Sequence, residues 1–255
     1  MEAELNSTER TVLYLYGVTE FVPENPVRQV GVDRKSPVEA VECDAVVCWV
    51  SRVSGREFET SLAQNMENLD WLAAAGVAHQ RAIGRLARVL EILPARFGTI
   101  FRDERSLCAH VRGRLRELQE DFQRVRDADE WGVKVFETAP APAPAQVPNI
   151  RSGKAYLMAK AALVPPKRQI LPPGELAAFK AALGEVAEES APAGSISRGQ
   201  RGLTFQTSLL VKRPNQRRLQ SVLKQFTKKW AGRQRIECTG PWPPYSFVSQ
   251  PAGAK

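Results

Sequence analysis

The chain has 255 residues, 43% hydrophobic and 25% charged, an ordinary globular balance that excludes a disordered chain and leaves room for one large or two small domains. No apolar run approaches a bilayer's thickness and the N-terminus lacks the basic and apolar regions of a signal peptide, so a soluble, cytoplasmic protein is expected. The net charge of +8 hides an asymmetry: residues 1–150 carry 18 Lys and Arg against 23 Asp and Glu, or −5, and residues 151–255 carry 18 against 5, or +13, which points to two surfaces with different partners.

Thr11 to Val18 is almost continuously apolar and rich in β-branched and aromatic types, the pattern of a strand covered on both faces. Phe21 to Val32 is broken by Pro23, Pro26 and Gly31, so only Val27 to Val32 is expected to pair, near an edge. Val38 to Val41 and Asp44 to Ser51 read as two further strands. Phe58 and Leu62 suggest a helical turn or two before a long helix with the stripe Leu69, Leu72, Gly76, His79, Ile83, Leu86 and Leu90, ending before Pro94. Gly76 weakens that helix and is expected to mark a close helix–helix approach.

Leu93 to Phe101 is the seam of the first half. Pro94 stops the helix, and Phe97, Thr99 and Phe101 alternate with Gly98 and Ile100 as a strand would, so Arg96 to Arg102 is expected as a central strand with Phe97 buried and Arg96 paired. Asp103 then caps a helix with the stripe Leu107, Val111, Leu115, Leu118, Phe122 and Val125. The charges between those positions alternate in sign and read as a solvated face. Glu130 to Phe136 alternates again, with Trp131, Val133 and Val135 on one face of a strand that is expected to close a first domain, 1–138.

Residues 139–150 are rich in Pro and Ala and are expected to form an extended linker, leaving 151–255 as a basic second domain. Within it, Tyr156 to Leu163 and Glu175 to Glu189 read as helices, Leu203 to Val211 as a strand, Leu219 to Phe226 as a helix and Arg235 to Cys238 as a short strand. Gly240 to Val248 carries Pro241, Pro243 and Pro244, so it is expected as an extended tail held by Trp242, Tyr245, Phe247 and Val248 in a groove of the same chain.

No catalytic constellation is legible. His79 lies on an apolar stripe, His110 on the exposed side of its helix, and no Gly-x-Ser-x-Gly occurs. Gly153-Lys154 lacks the leading glycine and following hydroxyl of a phosphate loop. The four cysteines, at 43, 48, 108 and 238, show no close pair, so neither a metal set nor a disulfide framework is expected, and no cofactor. Arg201, Gly202 and Phe205 offer a weak echo of an RNA-recognition strand, which sustains a basic nucleic-acid-binding module as the alternative function.

Three places together, Leu93-Pro94 with Arg96 to Thr99, Glu130 to Lys134, and Gly240 to Val248, with Gly153 to Leu157 opening the second half, resemble the gas vesicle accessory proteins of the F and L type. The resemblance implies an α+β chain of two small layered domains with a ferredoxin-like flavour. It also implies a non-enzymatic assembly factor or minor structural protein of the gas vesicle, in contact with gas vesicle shell protein A and other accessory proteins. Arg96, Phe97, Trp131, Trp242, Tyr245 and Phe247 are the candidate structural or partner-binding residues.

Overall fold

A computed structural model describes residues 10–24, 28–138, 171–192 and 200–249. The chain is α+β, and it divides into two compact units, Met1–Glu130 with Pro241–Lys255, and Trp131–Gly240.

In the first unit β1 (Thr11–Thr19) pairs antiparallel with β3 (Val46–Ser54), and β3 with β2 (Glu39–Cys43). Every residue from Val12 to Thr19 is buried, which is why that run contains no charge. Val12, Tyr14 and Tyr16 face a core with Phe58 and the helix α2 (Leu69–Leu86), which contributes Ala75, Ala82, Ile83 and Leu86. Phe58 arrives on a π-helical turn, Arg56–Thr60, and a short α1 (Leu62–Glu67) leads into α2, whose amides at Asp70 and Trp71 are capped by the Asn68 side chain. On the opposite face, α3 (Glu104–Gly113) lies against β2, and α4 (Leu115–Val125) against the far edge of the sheet. Asp103 and Ser106 form a reciprocal capping box at the start of α3. The stripe expected as one helix is broken at Arg114, next to Gly113, into these two.

The seam corrects the expected strand over Arg96 to Arg102. Only β4 (Leu93–Pro94) and β5 (Ile100–Phe101) pair with β1, opposite Gly17–Val18 and Leu13–Tyr14. Between them the chain loops out, because Gly98 takes φ of +80° and the Arg96 carbonyl accepts from the Thr99 amide at 3.2 Å and the Thr99 hydroxyl at 2.8 Å. Alternation alone did not register that turn. Val27 to Val32 likewise reduces to one bridge, Val30 with Pro37, among the described residues.

The cysteines also depart from expectation: Cys43, ending β2, and Cys108, in α3, form a disulfide with Cα atoms 5.0 Å apart. Their 65-residue separation carries no local signature, and only the tertiary fold brings them together. Cys48 and Cys238 are free thiols, and burial pushes them up to about 12 and about 11, as suits unreactive core positions.

In the second unit the described elements are β6 (Ala128–Glu137), α5 (Pro173–Gly184), β7 (Glu189–Ala191), β8 (Leu203–Lys212), α6 (Gln216–Lys229) and β9 (Gln234–Trp242). The sheet order β7-β8-β6-β9 is the ferredoxin-like arrangement of a β-α-β-β-α-β chain. Trp131, Val133 and Val135 pack with Phe179, Leu209, Val211, Leu219, Phe226 and Trp230. The Trp230 indole donates to Glu175 at 2.7 Å, and Arg233 closes on the same carboxylate at 3.2 Å.

The division therefore differs from 1–138, 139–150 and 151–255. β6 belongs to the second sheet, since an alternating strand does not announce which sheet will take it, and the tail belongs to the first unit. Gly240 to Trp242 ends the edge strand β9, and Tyr245–Phe247 forms a 3-10 turn where a wholly extended tail was expected. The linker and the helix Tyr156 to Leu163 lie outside the described residues.

A Cβ at Gly76 would meet nothing within 4 Å, so the expected close helix approach there is absent. Gly76→Ala should stabilise the protein by about 0.5–1 kcal/mol through helix propensity, read as a rise in the urea midpoint. A loss of stability would mean that α2 is packed at that glycine.

Candidate functional site: a strapped sheet edge and an apolar groove

The seam loop rests on Tyr14. Its hydroxyl accepts from the Gly98 amide at 3.0 Å and meets His79 Nδ1, also at 3.0 Å. Donation to Nδ1 places the imidazole proton on Nε2, which has no partner among the described residues. His79 is 2% exposed, and burial holds its pKa near 4, well below the usual 6.5, so it stays neutral. Phe97 is half-buried rather than central in a strand, with its ring 5.5 Å from His79, 6.2 Å from Tyr14 and 6.3 Å from Trp71. It caps an aromatic cluster that continues through Phe58 and Tyr16. Arg96 is exposed beside it.

The tail crosses this edge as a strap, Tyr245 to Ser249. Tyr245 packs on the α2 side and its hydroxyl reaches Gln80 at 3.4 Å, with burial raising its pKa. Glu130, 8% exposed, accepts from the Ser246 amide at 2.8 Å and its hydroxyl at 2.6 Å. Asp121, fully buried, accepts from the Ser249 amide at 2.7 Å and its hydroxyl at 2.9 Å. Arg124 donates to the Phe247 carbonyl at 3.0 Å and Arg114 to the Ser249 carbonyl at 2.7 Å, while the Phe247 ring is 2% exposed. Charged partners on neutral backbone groups make these strong hydrogen bonds. Beneath the strap a cavity of about 180 Å3 is lined by Leu15, Leu93, Phe101, Leu118 and Val248, with His110 and Arg114 at its polar side. His110 is thus half-buried, its ring 5.2 Å from Phe101, rather than on an exposed face.

The opposite edge of the same sheet is β2, which no strand covers among the described residues. An apolar groove of about 680 Å3 runs beside it, lined by Val22, Val30, Pro37, Val38, Ala40 and Trp49, with Arg28, Glu39 and Arg85 on its rim. Val22 is 44% exposed, Val30 53%, and neighbouring Phe21 59%, an open hydrophobic patch of the kind that marks interaction surfaces.

Of the six candidates, Phe97 and Tyr245 pack against the same core cluster of the first unit, Phe247 is buried in the strap of that unit, and Arg96 is exposed. Trp131 is a core residue of the second unit and Trp242 stands 47% exposed at the end of β9. Sequence reading places Asp121, Arg114 and Arg124 among solvated charges and Glu130 at the head of a strand, and in neither case finds the serine or carbonyl partner. The available signal was position: Asp121 is flanked by Leu118, Phe122 and Val125 on the apolar stripe of α4. Phe205, the aromatic of the RNA-like pattern, packs partly buried against the second unit's core, its ring 6.2 Å from Phe179 and with the Lys180 ammonium 5.1 Å from its centroid. Among the described residues no cluster of His, Cys, Asp and Glu could hold a metal, and no helix is long and apolar enough to cross a membrane.

Residues 12–249 match the family model described as gas vesicle synthesis protein GvpL/GvpF. Gas vesicle protein L of Streptomyces sp. (strain CB03234) is 28% identical over 261 residues, covering 95% of this chain and 94% of that protein. The crystal structure of gas vesicle protein GvpF from Anabaena sp. PCC7120 aligns with a TM-score of 0.69 at 18% identity, over 94% of this chain and 97% of that one. GvpF from Microcystis aeruginosa aligns at 0.67 and 16%, over 94% and 99%.

Two outcomes test this geometry. As pH falls, the unfolded chain protonates His79 near 6.5 but the folded chain resists until about 4, so this group's contribution is full above 6.5 and is lost between 6.5 and 4. The loss is on the order of 3 kcal/mol. His79→Gln, which keeps an acceptor for Tyr14 but takes no proton, should flatten that part of the stability–pH curve; an unchanged slope would place the titration elsewhere. Asp121→Ala strands the Ser249 donors and removes the ion pair that Asp121 makes with Arg124 at 3.2 Å, and should cost about 2–4 kcal/mol in urea unfolding. A cost within 0.5 kcal/mol, about that of an ordinary surface change, would mean that the strap is not held there.

Proposed function

The chain belongs to the gas vesicle synthesis protein GvpL/GvpF family, and on that premise we propose that it is a non-enzymatic assembly factor or minor structural protein of the gas vesicle, acting in the cytoplasm and holding the small shell protein by its first unit. The observation that carries this reading is the apolar groove beside the uncovered β2 edge, where Val22 and Val30 are about half exposed. A small apolar subunit needs its surface shielded before it polymerises, and an open strand edge beside an apolar groove offers both backbone pairing and hydrophobic cover. The basic second unit, with Arg217, Arg218, Lys224 and Lys228 on the outer face of α6, recruits or orients the other vesicle proteins.

The chemistry of such a task is association, and the groove is suited to it: Trp49 and Val38 line it as buried residues beside the buried amide of Gln29, and its arginines, Arg28 and Arg85, are exposed. Binding of purified shell protein to the full chain should therefore survive a rise in salt from about 0.05 to about 0.5 M, because burial of apolar surface is not screened. Val30→Asp should weaken capture by at least about tenfold while leaving the melting temperature within about 2 °C, since the residue is exposed. Undiminished capture by the Val30→Asp protein would move the shell-protein site off this groove.

A further inference from the structure

The strap is a returning C-terminal segment of the first unit: the second unit's chain ends at Gly240, within β9, and from Pro241 onward the residues belong with the first unit. What holds the strap is a recognition pattern rather than general stickiness. At two positions three residues apart, a buried carboxylate takes both the amide and the hydroxyl of a serine, Glu130 with Ser246 and Asp121 with Ser249. A residue offering a hydroxyl donor beside its own amide is required at each. Between them the Phe247 ring is sunk to 2% exposure, and two guanidiniums fix the carbonyls. The groove thus reads serine, aromatic, aliphatic, serine, and within this sequence that order occurs at 246–249 alone.

We propose that this groove is a peptide-recognition site that accepts the strap of a second copy of the chain, so that copies are joined by strap exchange. Every bond that closes the strap on its own unit is available unchanged to the same segment arriving from another molecule, so exchange sacrifices no contact. The link that feeds the strap, Pro243-Pro244, has no backbone donors with which to fasten itself to either unit. A short, stiff link between an element and its dock is the arrangement that favours exchange between copies. Each exchanged copy keeps one strap and one groove, so pairs close and longer rows remain possible. This is independent of the groove beside β2 and of the shell protein.

Two full-length proteins test it. One carries Ser246→Ala, Phe247→Ala and Ser249→Ala, which disables its strap and leaves its groove intact; the other carries Asp121→Ala and Glu130→Ala, which disables its groove and leaves its strap intact. Mixed, they should elute as a one-to-one dimer by light scattering, while each alone remains a monomer. Two folded proteins that stay monomeric after mixing would overturn the proposal. Should either variant fail to fold, the full chain carrying only Ser246→Ala and Ser249→Ala, whose own strap has lost its serine hydroxyls, is incubated with a labelled peptide of residues 241–255. Saturable capture, weakened at least about tenfold by Glu130→Gln, supports exchange. No capture at about 1 mM peptide, the weak limit of specific affinity, overturns it.

Discussion

The first unit depends on a single buried hydroxyl. Tyr14 has no exposed surface, so its oxygen must find both a donor and an acceptor inside the protein, and it finds the Gly98 amide and His79 Nδ1. That pair ties together parts of the chain 65 and 84 residues distant, α2 on one side and the seam loop on the other. The requirement propagates outward. Only a neutral imidazole can accept from the tyrosine, so burial of His79 and the low pKa that follows are part of the same joint. Only a backbone at positive φ presents the Gly98 amide inward, so the seam turns out of the sheet instead of continuing along it.

Because the seam pairs with β1 through two-residue strands, the sheet would be left half closed at that side. The strap finishes the closure by a different chemistry, with acids and guanidiniums from α4, from Arg114 at its N-terminal edge and from β6 gripping serines and carbonyls where a further strand would have offered a ladder. The other edge has no such cover among the described residues, and it is there that apolar side chains lie open. One sheet thus has a sealed side and an available side. The proposed assembly role calls for both, a rigid scaffold and a surface whose apolar area is not already spent on its own fold.

Much of this was legible from residue order. β1, and β3 from Val46 to Ser51, announce themselves because a strand buried on both faces admits no charge, and Asp103 announces a helix start because few other residues can satisfy the first free amides. What escaped was decided by distant partners. Phe97, Thr99 and Phe101 alternate convincingly, yet a glycine at positive φ and a folded-back carbonyl cancel the strand. β6 alternates correctly and still joins the other sheet. Cys43 and Cys108 pair across two layers with no spacing to betray them. Asp121 looked like one more surface charge, since periodicity ranks apolar positions and does not ask whether an acid among them has serine donors waiting from a segment 128 residues later.

Seam and strap together seal one edge of the sheet as a paired strand would. Native-state amide hydrogen exchange reads this at Gly98, Ser246 and Ser249, whose amides are bonded to a tyrosine oxygen and two carboxylates rather than to a ladder. These three amides should be protected to the level of Leu15 in β1, which donates to the Thr99 carbonyl at 2.9 Å. Exchange at Ser246 and Ser249 within about tenfold of an unstructured peptide, with Leu15 still protected, would contradict the account.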